Sequence, residues 1–457
     1  MLDDTIAAIA TPLGEGGLAV IRISGSSALS VADRVFQPAG KAGIRPSLAA
    51  SHTVHYGHIV RGDDRIDEIL LTVMRAPRTF TREDVVEISC HGGLLPARAV
   101  LSVILENGAR LAQPGEFTRR AFLNGRIDLA QAEAVADVIH ARTDLALRAA
   151  NEQLSGKLSL RIGSLRDDLM LTLAHVEAHI DFPDEDIAPD TLDQLLGRIA
   201  RAIGFLDELL RTAPEGRLLR RGIRAAIVGR PNAGKSSLLN QLLGMDRAIV
   251  SPIAGTTRDT IEETANVRGV PVVFIDTAGL REAGDSIEAE GIRRSHASLE
   301  SAELVLHVLD AAEPLAEEDL EYLRRFSQKR RILVRNKVDL PVRLELPADG
   351  PTTAVVDVSC ASGQGIELLK DAIQQMVWSG KIHAEMLEVM INARHQEALQ
   401  RGRQALDGAR SSLTGGMTLE LAAMELRVAV NAVGEVVGKT TTEDLLDRIF
   451  SEFCLGK

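Results

Sequence analysis

The sequence predicts a multidomain chain: an α+β N-terminal domain, an all-α helical domain, and an α/β P-loop domain inserted into the helical one. Three observations carry this. GRPNAGKS at residues 229–236 matches the phosphate-loop pattern G-x-x-x-x-G-K-[ST], between the apolar run IRAAIV (223–228) and the helix-period run SSLLNQLLG. The first 125 residues alternate short strand-like runs with turn residues. Segments with apolar residues at helical spacing lie on both sides of the P-loop region.

Taken in order, GLAVIRIS, HTVHYGHIV, IDEILLTVM and EDVVEISC read as strands and LLPARAVLSVILENG as a helix, which gives the α+β domain of residues 1–125. From IDLAQAEAVADVIHA onward the period turns helical, through ALRAANEQL and DLMLTLAHVEAHI, breaks at DFPDEDIAPD, and resumes to about residue 212. APEGRLLRRG reads as a hinge into the P-loop domain. Beyond that domain, MLEVMINARHQEALQRGRQALDGA and TLELAAMELRVAVNAVGEVVG are again helical. The expected boundaries are 126–216 and 382–457 for the two parts of the helical domain, and 217–381 for the insertion. Two separate helical modules are the alternative arrangement.

The P-loop domain carries four motifs, each at the end of a strand-like run. In the first, the backbone N–H groups of Asn232, Ala233, Gly234, Lys235, Ser236 and Ser237 can face phosphates, Lys235 adds a point charge, and the Ser236 hydroxyl suits Mg²⁺. PVVFI (271–275) runs into Asp276-Thr277-Ala278-Gly279, a carboxylate for Mg²⁺ through water and an N–H to sense a γ-phosphate. RRILVR (330–335) ends in Asn336-Lys337-Val338-Asp339, where one carboxylate can accept both the N1–H and N2–H₂ donors of guanine. Ser359-Cys360-Ala361 follows TAVVDV, placing an N–H for the guanine oxygen, and Gly255-Thr256-Thr257-Arg258-Asp259 supplies a switch threonine. Four motifs in this order make a Ras-like G domain that binds GTP.

Leu280 follows the Asp276–Gly279 motif, where Ras-like proteins carry the glutamine that orients the attacking water. Another residue must then position the water, and Glu288, in the same segment, is the candidate; a polar helix start is its other reading. Transition-state charge can come from Arg258, Arg281, or a monovalent cation held by Asn232 and the switch loop.

GRPNAGKSSLLN, AGTTRD and DTAGLRE, with the ending Phe453-Cys454-Leu455-Gly456-Lys457, resemble the MnmE (TrmE) family of tRNA-modification GTPases over the whole chain. The resemblance implies a potassium-activated GTPase that works by G-domain dimerisation. It places K⁺ at Asn232, Ser251, Ile253 and Thr256, Mg²⁺ at Ser236 and Thr257, and the catalytic acid at Glu288. It implies a catalytic part for Cys454, a thiol on a short tail beside Lys457, and a reduced-folate site at Arg22, Glu87, Arg126 and Lys457. Read from the residues alone, Arg22 and Glu87 can equally form a structural ion pair between strands, and a lone C-terminal cysteine can be incidental. The implied reaction installs an aminomethyl or carboxymethylaminomethyl group at carbon 5 of the tRNA wobble uridine. The carbon comes from 5,10-methylene- or 5-formyl-tetrahydrofolate. The implied assembly is a homodimer through the N-terminal domains, forming a heterotetramer with the flavoprotein MnmG (GidA).

Composition sets limits on these readings. At 457 residues, 45% apolar and 25% charged, the chain is long enough for about three globular domains. No run approaches the ~18 apolar residues of a membrane span. The start MLDDTIAAIATPLGEGG is acidic and broken by Pro and Gly, unlike a secretory signal. Three scattered cysteines form neither a disulfide framework nor a zinc pattern, so a cytoplasmic location is expected. The net charge of −12 is uneven. Residues 1–126 carry 14 Lys+Arg against 13 Asp+Glu and residues 217–381 carry 22 against 23, leaving the acidity to 127–216 and 382–457. Those two segments are poor grips for tRNA phosphates, which need clustered cations. A ribosome-assembly GTPase of the Era or Der type is the rival reading, but it wants a basic RNA-binding domain or a second G domain. A septin- or dynamin-like GTPase wants a membrane-binding segment. Neither feature is found.

Overall fold

The computed structural model describes residues 4–40, 43–181, 192–244, 263–275, 300–346, 354–378, 387, 389–415, 417–451 and 453–457. Its elements, in chain order, begin with strands β1 (Ile6–Ile9) and β2 (Leu18–Ser24), helix α1 (Ala28–Val35), and strands β3 (Phe36–Pro38), β4 (Thr53–Arg61), β5 (Asp64–Met74) and β6 (Val85–His91). Helix α2 (Leu94–Glu106), strand β7 (Arg110–Leu111) and helices α3 (Glu116–Leu123), α4 (Leu129–His140), α5 (Asp144–Leu154), α6 (Lys157–Asp181), α7 (Leu192–Leu210) and α8 (Ala213–Arg221) follow. Then come β8 (Ile223–Val228), α9 (Lys235–Gly244), β9 (Glu263–Val267), β10 (Val270–Phe274), β11 (Leu304–Asp310), α10 (Glu317–Arg325), β12 (Arg330–Asn336), β13 (Ala354–Asp357) and α11 (Ile366–Val377). The chain ends with α12 (Ala393–Thr414), α13 (Leu419–Val436) and α14 (Glu443–Ser451).

These elements form two compact units, one of residues 1–136, 154–202 and 401–457, the other of residues 137–153 and 203–400. The first holds a seven-stranded sheet in the order β3-β4-β5-β6-β2-β1-β7, antiparallel except for β1 with β7. Side chains alternate along each strand, so Ile21, Ile23, Ile59, Leu71 and Ile88 point to one face and bury against Val31 of α1 and Val100 and Ile104 of α2. The alternate residues Val54, Tyr56 and Leu70 are exposed. In the same unit α6 packs along α13. Ile162, Leu165 and Leu169 of α6 and Ala422, Leu426 and Val433 of α13 are buried at helical spacing, so each helix turns one apolar stripe inward.

The second unit holds a six-stranded sheet, β13-β12-β11-β8-β10-β9, parallel except for the β9–β10 hairpin. Both faces are covered, so its central strands are largely apolar; β11 is buried along its whole length. Leu238, Leu239 and Leu242 of α9 and Leu369 and Ile373 of α11 pack on one face with Leu304, Leu306 and Val308.

Two expectations change. APEGRLLRRG is the helix α8 and not a hinge: Pro214 fits its first turn, Leu219 is buried, and Gly222 ends it at φ 71°. The helix expected to run on from MLEVMIN starts at Ala393, with Val389, Met390, Ile391 and Asn392 outside it.

Candidate functional sites

In the second unit the P-loop joins β8 to α9, and its glycines are dictated by crowding. At Gly229 (φ 146°) a Cβ would overlap the Val308 carbonyl oxygen, and at Gly234 (φ 98°) it would overlap the Asn336 amide nitrogen. Asn232 sits in the left-handed region at φ 63°, exposed on the loop. Ala233 is buried, whereas Ser236 and Ser237 are exposed at the start of α9. Lys235 donates from Nζ to the carbonyls of Gly229 (2.9 Å) and Arg230 (2.8 Å), closing the loop on itself. Burial lowers the pKa of its ammonium. That desolvated cation at a helix N-terminus suits a phosphate. Arg230 is anchored by Asp319 of α10, which is 1% exposed, at 2.8 Å, and by Glu313 at 3.3 Å. Sequence reasoning missed this anchor, because nothing local marks residue 319 as a partner of residue 230.

The third and fourth strand-end motifs of this sheet meet the P-loop through one side chain. Asn336, at the end of β12, donates from Nδ2 to the Ala233 carbonyl (2.9 Å) and accepts at Oδ1 from the Cys360 N–H (3.1 Å). The Cys360 carbonyl accepts from Gln241 of α9 at 2.8 Å. Lys337 (φ 66°) donates to Asp310 at the end of β11, 2.6 Å away. Asp339 is exposed. Burial, with the Asp339 charge second, pushes the Cys360 thiol up to about 11, so it is protonated at neutral pH. Ser359 is fully buried and Ala361 exposed at the turn. The structure therefore brings Asn232–Ser237, Asn336–Asp339 and Ser359–Ala361 into one loop cluster. Ser251, Ile253, Thr256, Thr257, Arg258, Asp276, Thr277, Ala278, Gly279, Leu280, Arg281 and Glu288 lie outside the described residues.

A second cluster forms in the first unit. The β2–β6 register sets Arg22 opposite Glu87, and their side chains pair: Nε donates to Oε1 at 2.8 Å and Nη2 lies 2.7 Å from it. Both remain partly open to solvent, 18% and 28% exposed. The ion-pair alternative is thus a geometric fact, and it leaves both groups accessible. The Arg22 guanidinium lies 5.7 Å from the Phe117 ring centre and donates from Nη1 to the Gly456 carbonyl at 3.3 Å.

The C-terminal tail is seated by its backbone. Gly115 N–H donates to the Cys454 carbonyl (3.4 Å) and Phe117 N–H to the Lys457 carbonyl (3.1 Å). Phe453 is buried with Leu129, Ala132, Leu446 and Phe450. Gly456, at φ 88°, fits where a Cβ would come within 2.7 Å of the Ile9 carbonyl oxygen. Burial, then the Arg22 charge, lowers the Lys457 ammonium pKa, against the opposing pull of Glu87 and Cys454. Cys454 is a free, half-buried thiol. Arg22, Glu87, Cys454 and Lys457 therefore converge. Arg126 lies exposed over the Phe80 ring, 5.1 Å from its centre, and Phe80 packs on the small core that contains Phe117.

In the same unit Arg120, 1% exposed, donates to Asp4 (2.7 Å), Glu116 (3.0 Å) and Glu83 (3.2 Å). It ties α3 to the chain before β1 and to the loop before β6. Three carboxylates around one buried guanidinium satisfy a charge that burial alone would make costly. The sequence offers no signal for it, since Asp4 and Glu83 lie far from residue 120 along the chain.

Comparison with known proteins gives two family matches: "GTP-binding protein TrmE N-terminus" over residues 5–126 and "MnmE helical domain" over residues 129–454. The tRNA modification GTPase MnmE of Geobacillus kaustophilus (strain HTA426) is 48% identical over 464 residues, covering 99% of this chain and 99% of that protein. Its namesake in Geobacillus thermodenitrificans (strain NG80-2) is 47% identical, with 99% of each covered. The one in Lactococcus lactis subsp. cremoris (strain SK11) is 46% identical over 455 residues, covering 99% of this chain and 98% of the relative.

Proposed function

The chain belongs to the MnmE family of tRNA modification GTPases, and from that premise we propose that it is a K⁺-dependent GTPase, activated by dimerisation, that serves wobble-uridine modification. As a family member it hydrolyses GTP. The G domain, residues 217–381, is read as inserted into a helical domain of residues 126–216 and 382–457, behind an N-terminal domain of residues 1–125. Asn232 with Ser251, Ile253 and Thr256 would hold K⁺, and Ser236 with Thr257 would hold Mg²⁺. Glu288 would orient the attacking water in place of the missing glutamine. With the flavoprotein MnmG, GTP hydrolysis would gate the installation of the aminomethyl or carboxymethylaminomethyl group, in the cytoplasm. Family membership leaves the ribosome-assembly reading without support.

The observation that most favours the one-carbon part is the seat of the C-terminal tail. It sets Lys457 and Cys454 beside Arg22 and Glu87, although the two pairs lie near opposite ends of the chain. Glu87 is suited to the paired N–H donors of a pterin, and the cations to the carboxylates of a folate's glutamate tail. The exposed Val54, Tyr56 and Leu70 on the open face of the N-terminal sheet favour the dimer. The test is nucleoside analysis of tRNA from a strain lacking this gene, with hydrolysis by the pure protein measured in K⁺ and in Na⁺. Loss of the carbon-5 group and much faster turnover in K⁺ are expected. Intact modification would overturn the function, and equal rates would remove the cation role of Asn232.

A further inference from the structure

We propose that Asp310 is a positioning residue for guanine recognition, acting by fixing Lys337. The inference rests on reading Asn336–Asp339 as the guanine loop. Asp310 ends β11 directly opposite Asn336 in the parallel ladder. Its carboxylate is only 8% exposed and has two donors: the Lys337 ammonium reaches Oδ2 at 2.6 Å, and the Ala312 N–H reaches Oδ1 at 3.0 Å. The Ala311 N–H in turn donates to the Asn336 carbonyl at 2.8 Å. The turn that carries Lys337 is therefore held by main chain on one side and by this carboxylate on the other.

The consequence concerns the stem of Lys337. Left alone, a lysine head moves freely on four methylenes and loses much rotamer entropy when a ligand fixes it. Here the head is tied before any ligand arrives. The methylenes run from residue 337 to the end of β11, an apolar rail two residues from the carboxylate that reads the base edge. Lys337 is 34% exposed along its side chain, so part of this rail is open to solvent and available to a flat aromatic ring. Lys337 holds the left-handed φ of 66° while its head reaches Asp310. Asp310 touches no ligand in this arrangement; its proposed effect on the base runs through Lys337.

The test measures dissociation of fluorescent GDP and steady-state GTP hydrolysis on the full-length protein. Asp310→Ala should raise the GDP dissociation rate about tenfold, the usual scale for one charge-assisted hydrogen bond. The loss should appear in KM and not in kcat. Asp310→Asn keeps an acceptor oxygen for Lys337 and should recover most of it. In a Lys337→Met background, Asp310→Ala should add nothing, because its target is gone. Asp357→Ala, which breaks the exposed Arg335–Asp357 pair on the same sheet, should leave dissociation unchanged. Additive losses in the double variant, or a fall in kcat with an unchanged dissociation rate, would overturn the proposal. Failure of the guanine-loop reading itself looks different. Asp339→Asn, whose amide matches the 2-oxo group of xanthine, would then leave GDP affinity intact.

Discussion

The two clusters are built in opposite ways. The P-loop and strand-end loops of the second unit are short runs of consecutive residues at the ends of neighbouring parallel strands, held together by side chains that reach main-chain groups. The Arg22–Glu87–Lys457 cluster of the first unit is assembled from side chains scattered along the chain, brought together by strand register and a docked tail. Each nevertheless depends on a glycine with positive φ pressed against a neighbour: Gly234 against Asn336, and Gly456 against Ile9 and Ala10. A site built from contiguous backbone announces itself as a motif. A site built by topology shows only after folding.

The largest effect should come from breaking the first glycine contact. Gly234→Ala drives a Cβ into the Asn336 amide at a φ of 98°, which a methyl-bearing residue resists. Nucleotide affinity should fall on the order of a hundredfold or more, the scale of strain plus a broken buried hydrogen bond. Titration with fluorescent GDP measures it, and near-native affinity would show that the loop can yield.

The next effect separates the two units by pH. His307 of β11 is fully buried beside Arg331 and the Tyr322 ring, with neither ring nitrogen hydrogen-bonded among the described residues. Burial, and then the Arg331 charge, pull its pKa down to about 4 from 6.5. The unfolded chain therefore binds this proton more readily between those values. Stability of the second unit should rise with pH from 4 to 6.5, and the full cost below that window is about 3 kcal/mol. Lys457, also depressed, acts at the other end: tail docking strengthens as pH rises towards its unfolded value of 10.5. Calorimetry of the His307→Leu variant should show a flatter acid limb. An unchanged limb would mean that carboxylates and not His307 set it.

The smallest effect belongs to the tail. Gly456→Ala should unseat the last residues at a cost of about 1–2 kcal/mol, given the forced φ of 88°. Amide exchange at Phe117, whose N–H donates to the Lys457 carbonyl, should quicken about tenfold by the ~1.4 kcal/mol rule. GTP hydrolysis should hold at its unmodified rate. A parallel loss of hydrolysis would mean that the two sites are less separate than their construction suggests.

The same contrast explains what the sequence reveals. IRAAIV coincides with β8, residue for residue, because a central parallel strand is apolar on both faces and the P-loop marks its end. β11 is just as apolar but passes unrecognised, since no motif follows it to separate it from a buried helix turn. In the first unit β1 has only four residues, and β3 and β7 fewer, too short for an alternation to register. α8 reads as a hinge because its Pro and Gly outweigh Leu218 and Leu219. Of the sites, the P-loop and the two strand-end loops proposed to read the base stand out as spacing. Asp319, Asp310, Gln241 and Arg120 do not, because a partner across the fold leaves no trace in local sequence.

Asn336 carries one more consequence. With Nδ2 committed to the P-loop carbonyl and Oδ1 to the Cys360 amide, it ties the P-loop to the turn at Ser359–Ala361, the proposed seats of phosphate and base. A ligand offering only one end must fit a frame already set for both. Guanosine and pyrophosphate, supplied as separate molecules, should therefore each bind weakly. Joined in one nucleotide, they gain the affinity that chelation gives, because this single amide fixes the span between their seats.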